Sequence, residues 1–208
     1  MEKINYDLKM QAIIKELPKG STVLLHTCCA PCSSAVIARL ANDFEITVFY
    51  YNPNIEPQEE YIKRKEEQQR FLTEITTLYP IHFLDCDYDH DAFENITKGL
   101  EKEKEGGSRC FKCYRLRLEQ TAKIAKLNHF DYFGTSLTVS PYKNATKLNE
   151  IGAELEKIYK VNFLYSDFKK HDGYKKSIEY SKQYHLYRQD YSGCHFSKDE
   201  RERQKEER

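Results

Sequence analysis

The sequence predicts a single α/β domain: a mostly parallel sheet with helices on both faces. Three observations carry this. Five short apolar or β-branched runs have strand length, helical stretches of roughly ten to twenty residues separate them, and no internal repeat or Gly/Ser-rich linker interrupts the alternation. At 208 residues the chain fits one domain, read as a catalytic body over residues 1–196 and a charged, flexible tail over 197–208.

Leu8–Leu17 reads as a short helix stopped by Pro18 and Gly20. Thr22–His26 is the first strand, a cysteine-rich turn follows, and Ser33–Leu40 is helical. Ile46–Tyr51 is the second strand, rich in β-branched and aromatic residues, with Asn52-Pro53-Asn54 as its loop. Gln58–Leu78 is a long charged helix, in which Lys63, Arg64, Lys65 and Arg70 among Glu59, Glu60, Glu66 and Glu67 read as a mixed solvated surface. Ile81–Asp85 is strand three, Phe93–Glu103 a helix, and Gly106-Gly107 a turn. Cys113–Leu127 is helical, and Tyr132–Val139 is strand four, closed by Ser140-Pro141. Asn144 caps a helix to about Tyr159, Asn162–Tyr165 is strand five, and Gly173–Tyr184 is the last helix.

Thirty-three basic residues balance thirty-three acidic ones, which argues against histone-like coating of nucleic acid but leaves room for a local basic face. No run approaches the ~18 apolar residues of a spanning helix, and the first residues lack the apolar core of an export signal, so a cytoplasmic protein with no membrane partner is expected. Seven cysteines in such a chain point to metal or redox chemistry rather than a disulfide framework.

Six of them fall in three places: Cys28, Cys29 and Cys32; Cys110 and Cys113; and Cys194, with Cys86 left as a core residue. The first group follows a strand and precedes a helix whose free N–H groups and positive dipole end stabilise thiolates. Adjacent Cys28 and Cys29 would more naturally point to two centres. Cys110-Phe-Lys-Cys113 has chelating CxxC spacing, and Gly193 lets the backbone turn Cys194 inward. Four-thiolate sites suit zinc or an iron–sulfur cluster. A thiol–disulfide or sulfur-transfer enzyme using Cys29 and Cys32 is one alternative, and a zinc-stabilised RNA-binding module without redox activity is another. The separation of Cys32 from Cys110 far exceeds the ~15–20 residues of a compact zinc ribbon, so the groups must meet through the tertiary fold.

Four segments in order, His26-Thr-Cys-Cys-Ala-Pro-Cys32, Arg109–Leu118, Thr135–Lys143 and Tyr187–His195, together resemble the QueH-type epoxyqueuosine reductases. The resemblance implies an adenine-nucleotide-hydrolase-like (HUP) fold. It also implies cobalamin-independent reductive deoxygenation of epoxyqueuosine at the tRNA wobble position, using a [4Fe–4S] cluster and an adjacent mononuclear iron. The cysteine turn stands where related folds carry a pyrophosphate loop, so ATP chemistry is not supported. The implied cluster ligands are Cys29, Cys110, Cys113 and Cys194; Cys28 and Cys32 are the implied ligands of the adjacent iron, with the division between Cys28 and Cys29 open. Candidate proton donors or orienting groups in or beside the motifs are His26, Tyr142 and Asp190, with Tyr114 and Tyr191 nearby. The expected partners are the anticodon loop carrying epoxyqueuosine and an unidentified electron donor. Two basic groups interleaved with aromatics are candidates for holding RNA. One comprises Arg109, Lys112, Arg115 and Arg117 with Phe111 and Tyr114; the other Lys169, Lys170, His171, Lys175, Lys176 and Arg188 with Tyr174, Tyr184, Tyr187 and Tyr191.

Overall fold

A computed structural model describes residues 4–207. Met1–Lys3, the start of the segment read as lacking an export signal, and Arg208, the last tail residue, lie outside the described residues. The order is α1 (Tyr6–Glu16), β1 (Thr22–His26), α2 (Ala30–Leu40), β2 (Glu45–Phe49), α3 (Gln58–Glu74), β3 (His82–Leu84), α4 (His90–Thr97) and α5 (Ser108–Leu127). Then come β4 (Tyr132–Thr135), a 3₁₀ turn (Ser136–Val139), α6 (Ala145–Tyr159), β5 (Asn162–Phe163), α7 (Gly173–Gln183) and α8 (His195–Glu206).

The five strands form one parallel sheet ordered β3-β2-β1-β4-β5. Central β1 runs from Thr22↔Glu45 to His26↔Phe49 against β2, and from Val23↔Tyr132 to His26↔Thr135 against β4. Its side chains alternate between two apolar layers. Val23 and Leu25 pack with Met10, Ile37, Leu40 and Phe71 on one face; Leu24 packs with Leu118, Ala122, Leu148 and Leu155 on the other. Each such fully buried aliphatic side chain is worth about 1.5–3 kcal/mol of burial. Coverage of both faces explains why β1 reads as a continuous apolar run. No helix among the described residues is long and apolar enough to cross a membrane.

Several boundaries differ from the sequence expectation. Helix α2 begins at Ala30 rather than Ser33, because Cys29 takes the N-cap and Pro31 suits the first turn; Cys32 therefore lies inside the helix. Helix α5 begins at Ser108, so Cys110 and Cys113 are both helical. β4 stops at Thr135, its last residue opposite β1, where Oγ1 accepts the Leu137 N–H and turns the chain into the 3₁₀ segment. Helix α3 ends at Glu74 rather than Leu78. The helix expected over Phe93–Glu103 is α4, capped by Asp89 and ended before Gly99 (φ +79°). The charged stretch from Ser197, expected to fray, is helical through Glu206. Its first turn attaches it: Phe196 packs on Phe93, Arg109 lies 4.0 Å from the Phe196 ring, Ser197 is buried, and Arg201 Nε donates to the Asp190 carbonyl.

Candidate metal centre

Ligands of an open parallel sheet bind at the carboxyl ends of its strands, where neighbouring strands lead to opposite faces. That point here lies between β1 and β4: β1 leads to α2 in one apolar layer, β4 to α6 in the other. A cavity of about 500 Å³ opens there, lined by Cys28, Cys29 and Cys32 from the first connection and by Leu137, Tyr142 and Lys143 from the second. Its size lies within the ~300–1,000 Å³ of small-molecule sites.

The six motif thiols occupy the N-termini of three helices. Cys29 is the N-cap of α2, with Cys32 in its first turn; Cys110 lies in the first turn of α5, one turn before Cys113; Cys194 is the N-cap of α8. Free N–H groups and helix dipoles at these positions favour negative sulfur. One such contact is direct: the Gly106 N–H donates to Cys110 Sγ at 3.2 Å. Cys28, Cys29 and Cys32 present sulfurs all within 4.8 Å of one another and can hold a metal ion. Cys110, Cys113 and Cys194 line an adjoining recess together with Arg109, Tyr114, Arg117 and Lys143. Arg117, Lys143, Glu105, Ser192 and Ser197 border both spaces.

The Cys28 and Cys29 sulfurs stand 3.7 Å apart, where the sequence suggested two separate centres. Two thiolates at ~2.3 Å from one tetrahedral ion are ~3.8 Å apart, so this spacing suits donors to one ion or to two adjoining metals. Hydrogen bonds from Cys29 and Cys32, aided by Arg117, hold the Cys28 thiol well below its ordinary value. The hydrogen bond to Cys28, with burial, pushes Cys29 up to about 12, and those to Cys28 and Cys29 raise Cys32. Burial raises Cys113.

Cations complete the fit. Arg117 is 3 % exposed; its Nε donates to the Cys113 carbonyl at 3.4 Å, and it has no carboxylate partner among the described residues. Its guanidinium is held charged, against the penalty of burial, by Cys113 and Cys28. Arg64, 2 % exposed, bonds Glu60 with Nε but leaves Nη2 enclosed without an acceptor. Cys29 helps keep it charged against burial. Buried guanidinium groups need anions, and the sulfurs of metal-bound cysteines would supply them. Arg64 thus departs from its reading as solvated surface. The missed signal was periodic: Tyr61, Arg64, Gln68 and Phe71 form the buried stripe of α3.

The sequence candidates divide. Tyr142 and Asp190 line the same cavity as Cys28, Cys29 and Cys32. Lys205 bonds the Asp190 carboxylate at 2.5 Å and holds its carboxyl below the ordinary value. His26 is fully buried behind the cysteine loop, in contact with Thr135 Oγ1 and the Tyr51 carbonyl, each at 3.1 Å. Burial, then Arg117, pushes its imidazole down to about 3, and both ring nitrogens are engaged behind the loop. Cys86 is half-buried and donates to the Tyr50 carbonyl, with its thiol raised to about 12 by burial. Sequence reasoning missed Lys143 as a site residue, although it closes the third motif. Its Nζ donates to Ser192 Oγ at 2.6 Å and to Glu105 at 3.3 Å, and Ser192 bonds Glu105 in turn.

The basic groups are sorted by burial. Arg109 is buried, donating to the Leu100, Glu101 and Glu103 carbonyls; Arg115 pairs with Glu154; Tyr114 is buried, and Tyr184 packs on Phe71. These residues serve the fold, as Arg117 serves the thiols. Lys112, Lys170, Lys175 and Lys176 are exposed, and Tyr174, Arg188 and Tyr191 line the cavity.

Fold and site together define a parallel α/β protein with a thiol-lined cavity, able to hold a metal ion, at the switch point of its sheet. The family described as "Epoxyqueuosine reductase QueH" matches residues 23–200. A protein of that name from Streptococcus pyogenes serotype M1 is 42% identical over 198 residues, covering 93% of this chain and 78% of the relative. One from Staphylococcus epidermidis is 40% identical over 203 residues (94% and 85%), and one from Thermotoga maritima 35% identical over 183 residues (85% and 90%). The chain belongs to the epoxyqueuosine reductase QueH family.

Proposed function

We propose that this chain is an oxidoreductase that converts epoxyqueuosine in tRNA to queuosine, working in the cytoplasm with a separate electron donor. The observation that carries the reading is the gathering of six thiols and the buried cations Arg64 and Arg117 around two adjoining cavities in a member of this family. Replacing the epoxide by an alkene consumes two electrons and two protons and releases the oxygen as water. The six thiols suit a [4Fe–4S] cluster held by Cys29, Cys110, Cys113 and Cys194, with Cys28 and Cys32 holding an adjacent iron. When bound, such groups would supply single electrons and Lewis-acid chemistry at the cavity. The 3-2-1-4-5 strand order supports the HUP-type fold.

The protein's own part is electrostatic and positional. Lys143 keeps a proton on Nζ, because Tyr114 and Glu105 outweigh the burial that opposes it. Ser192 and Glu105 fix its direction, making it the proton-bearing group beside the thiols. Tyr142, 62 % exposed at the cavity mouth, and Tyr174 are available to stack on a base, and Lys170, Lys175 and Lys176 to meet phosphates. A thiol-exchange enzyme is disfavoured. Its attacking group would be Cys29, which is 2 % exposed with a raised thiol.

The test is anaerobic conversion of epoxyqueuosine-containing tRNA with a strong reductant, followed by nucleoside analysis. Queuosine is the expected product; its absence with fully loaded protein refutes the assignment. A colourless protein that takes up zinc but no iron favours the structural zinc alternative.

A further inference from the structure

Outside the thiol site, Glu56 from the loop after β2 and His90 and Glu94 from α4 place three donor atoms within 4.8 Å of one another. His90 and Glu94 are four residues apart and share one face of the helix. His90 Nε2 lies 3.5 Å from Glu56 Oε2 and 3.6 Å from Glu94 Oε1. Those distances are long for hydrogen bonds. They match donors bound at ~2.1 Å to one roughly tetrahedral ion, which stand ~3.4 Å apart.

The outer contacts are those of a ligand set. His90 Nδ1 donates to the Pro53 carbonyl at 2.8 Å, which fixes the ring and turns Nε2 toward the two carboxylates. Glu94 Oε1 is enclosed and lacks a hydrogen-bond partner. Glu56 Oε1 accepts from the His195 backbone N–H at 2.6 Å and lies 2.5 Å from His195 Nδ1, aiming the other carboxylate oxygen at His90. Tyr88 and Phe93 flank the His90 ring.

We propose that Glu56, His90 and Glu94 form a second metal site, for a divalent cation bound by one imidazole and two carboxylates. His195 orients Glu56 from outside the ligand set. The site ties the loop after β2 and helix α4 to the start of α8. Because His195 adjoins Cys194, and the Glu56 N–H donates to the Gly193 carbonyl at 3.0 Å, an ion here braces the segment that presents Cys194. Nitrogen–oxygen donor sets take manganese, iron or zinc, and they accept manganese more readily than thiolates do.

Mn²⁺ titration of the iron-loaded holoenzyme, followed by loss of the free-ion paramagnetic resonance signal, tests this without reference to turnover. One Mn²⁺ per chain is expected, with affinity reduced at least tenfold in Glu94→Gln and in His90→Ala. Thermal melting should rise with Mn²⁺ in the parent and not in these variants. Unchanged iron content and circular dichroism show that the variants are folded. A holoenzyme that binds no Mn²⁺, or variants that bind it as the parent does, overturns the proposal and leaves a network of hydrogen-bonded ion pairs.

Discussion

Gly193→Ala is the sharpest probe of how the fold delivers Cys194. Gly193 has φ +117°, a conformation that L side chains rarely adopt, and strain of this kind costs about 1–3 kcal/mol. An added Cβ would stand 2.9 Å from Ile55 Cγ1 and 3.3 Å from Asn54 Nδ2, and overpacking of that kind adds about 1–3 kcal/mol. The chain can escape only by swinging residues 192–195 outward. That forfeits the Glu56–Gly193 bond, worth about 1 kcal/mol, and the His195 contacts to the Glu56 carboxylate, worth about 1.5–3 kcal/mol. The first route costs about 2–6 kcal/mol and the second about 2.5–4 kcal/mol, and the second also withdraws Cys194. Urea unfolding should show this loss, and iron per chain after anaerobic reconstitution should fall. Gly99→Ala is the control: φ is +79°, but nothing lies within 4 Å of its added Cβ, so about 1 kcal/mol and full iron content are expected. If Gly193→Ala reconstitutes fully and unfolds within about 0.5 kcal/mol of the parent, the idea that this glycine aims the thiol is wrong.

Cys110→Ala should abolish both visible cluster absorbance and turnover; retained absorbance with full activity refutes its role as a ligand. Cys28→Ala and Cys29→Ala, compared by Mössbauer spectroscopy, assign the close pair: loss of only the mononuclear iron signal identifies the iron ligand, and collapse of the cluster signal identifies the cluster ligand. Gly152→Ala should destabilise by about 1–3 kcal/mol in chemical denaturation, because its Cβ would fall 2.3 Å from the Phe163 ring where α6 crosses β5. Burial alone would raise the Asp7 carboxyl, but Arg39 at 2.7 Å and bonds from His171 and Gln11 hold it below its ordinary value. A depressed carboxyl contributes stability that is complete above the unfolded value of ~3.9 and is lost as pH falls through the folded value. Asp7→Asn should therefore flatten the acid side of the stability–pH curve, and an unchanged acid side would refute the contribution.

Much of this protein was legible along the chain. Period and punctuation located β1, the Asn144-capped helix and the last Gly173-led helix, because both-face burial, capping and glycine act over a few residues. The same local chemistry singled out Cys28, Cys29, Cys32, Cys110, Cys113 and Cys194 as candidate ligands, since clustered cysteines at such spacings point to metal or redox chemistry. The tertiary structure decided which cations serve them. Arg64 and Arg117 look like their exposed neighbours in sequence, and only the packing of α3 and α5 against the cysteine loop turns them inward. It also placed His26 in the buried layer behind the cysteine loop and tied Asp190, at the cavity, to Lys205. The attachment of α8 rests on one aromatic side chain meeting another about a hundred residues earlier. Hydrophobic patterning cannot report such a contact, because it registers a residue's apolarity and not its distant partner.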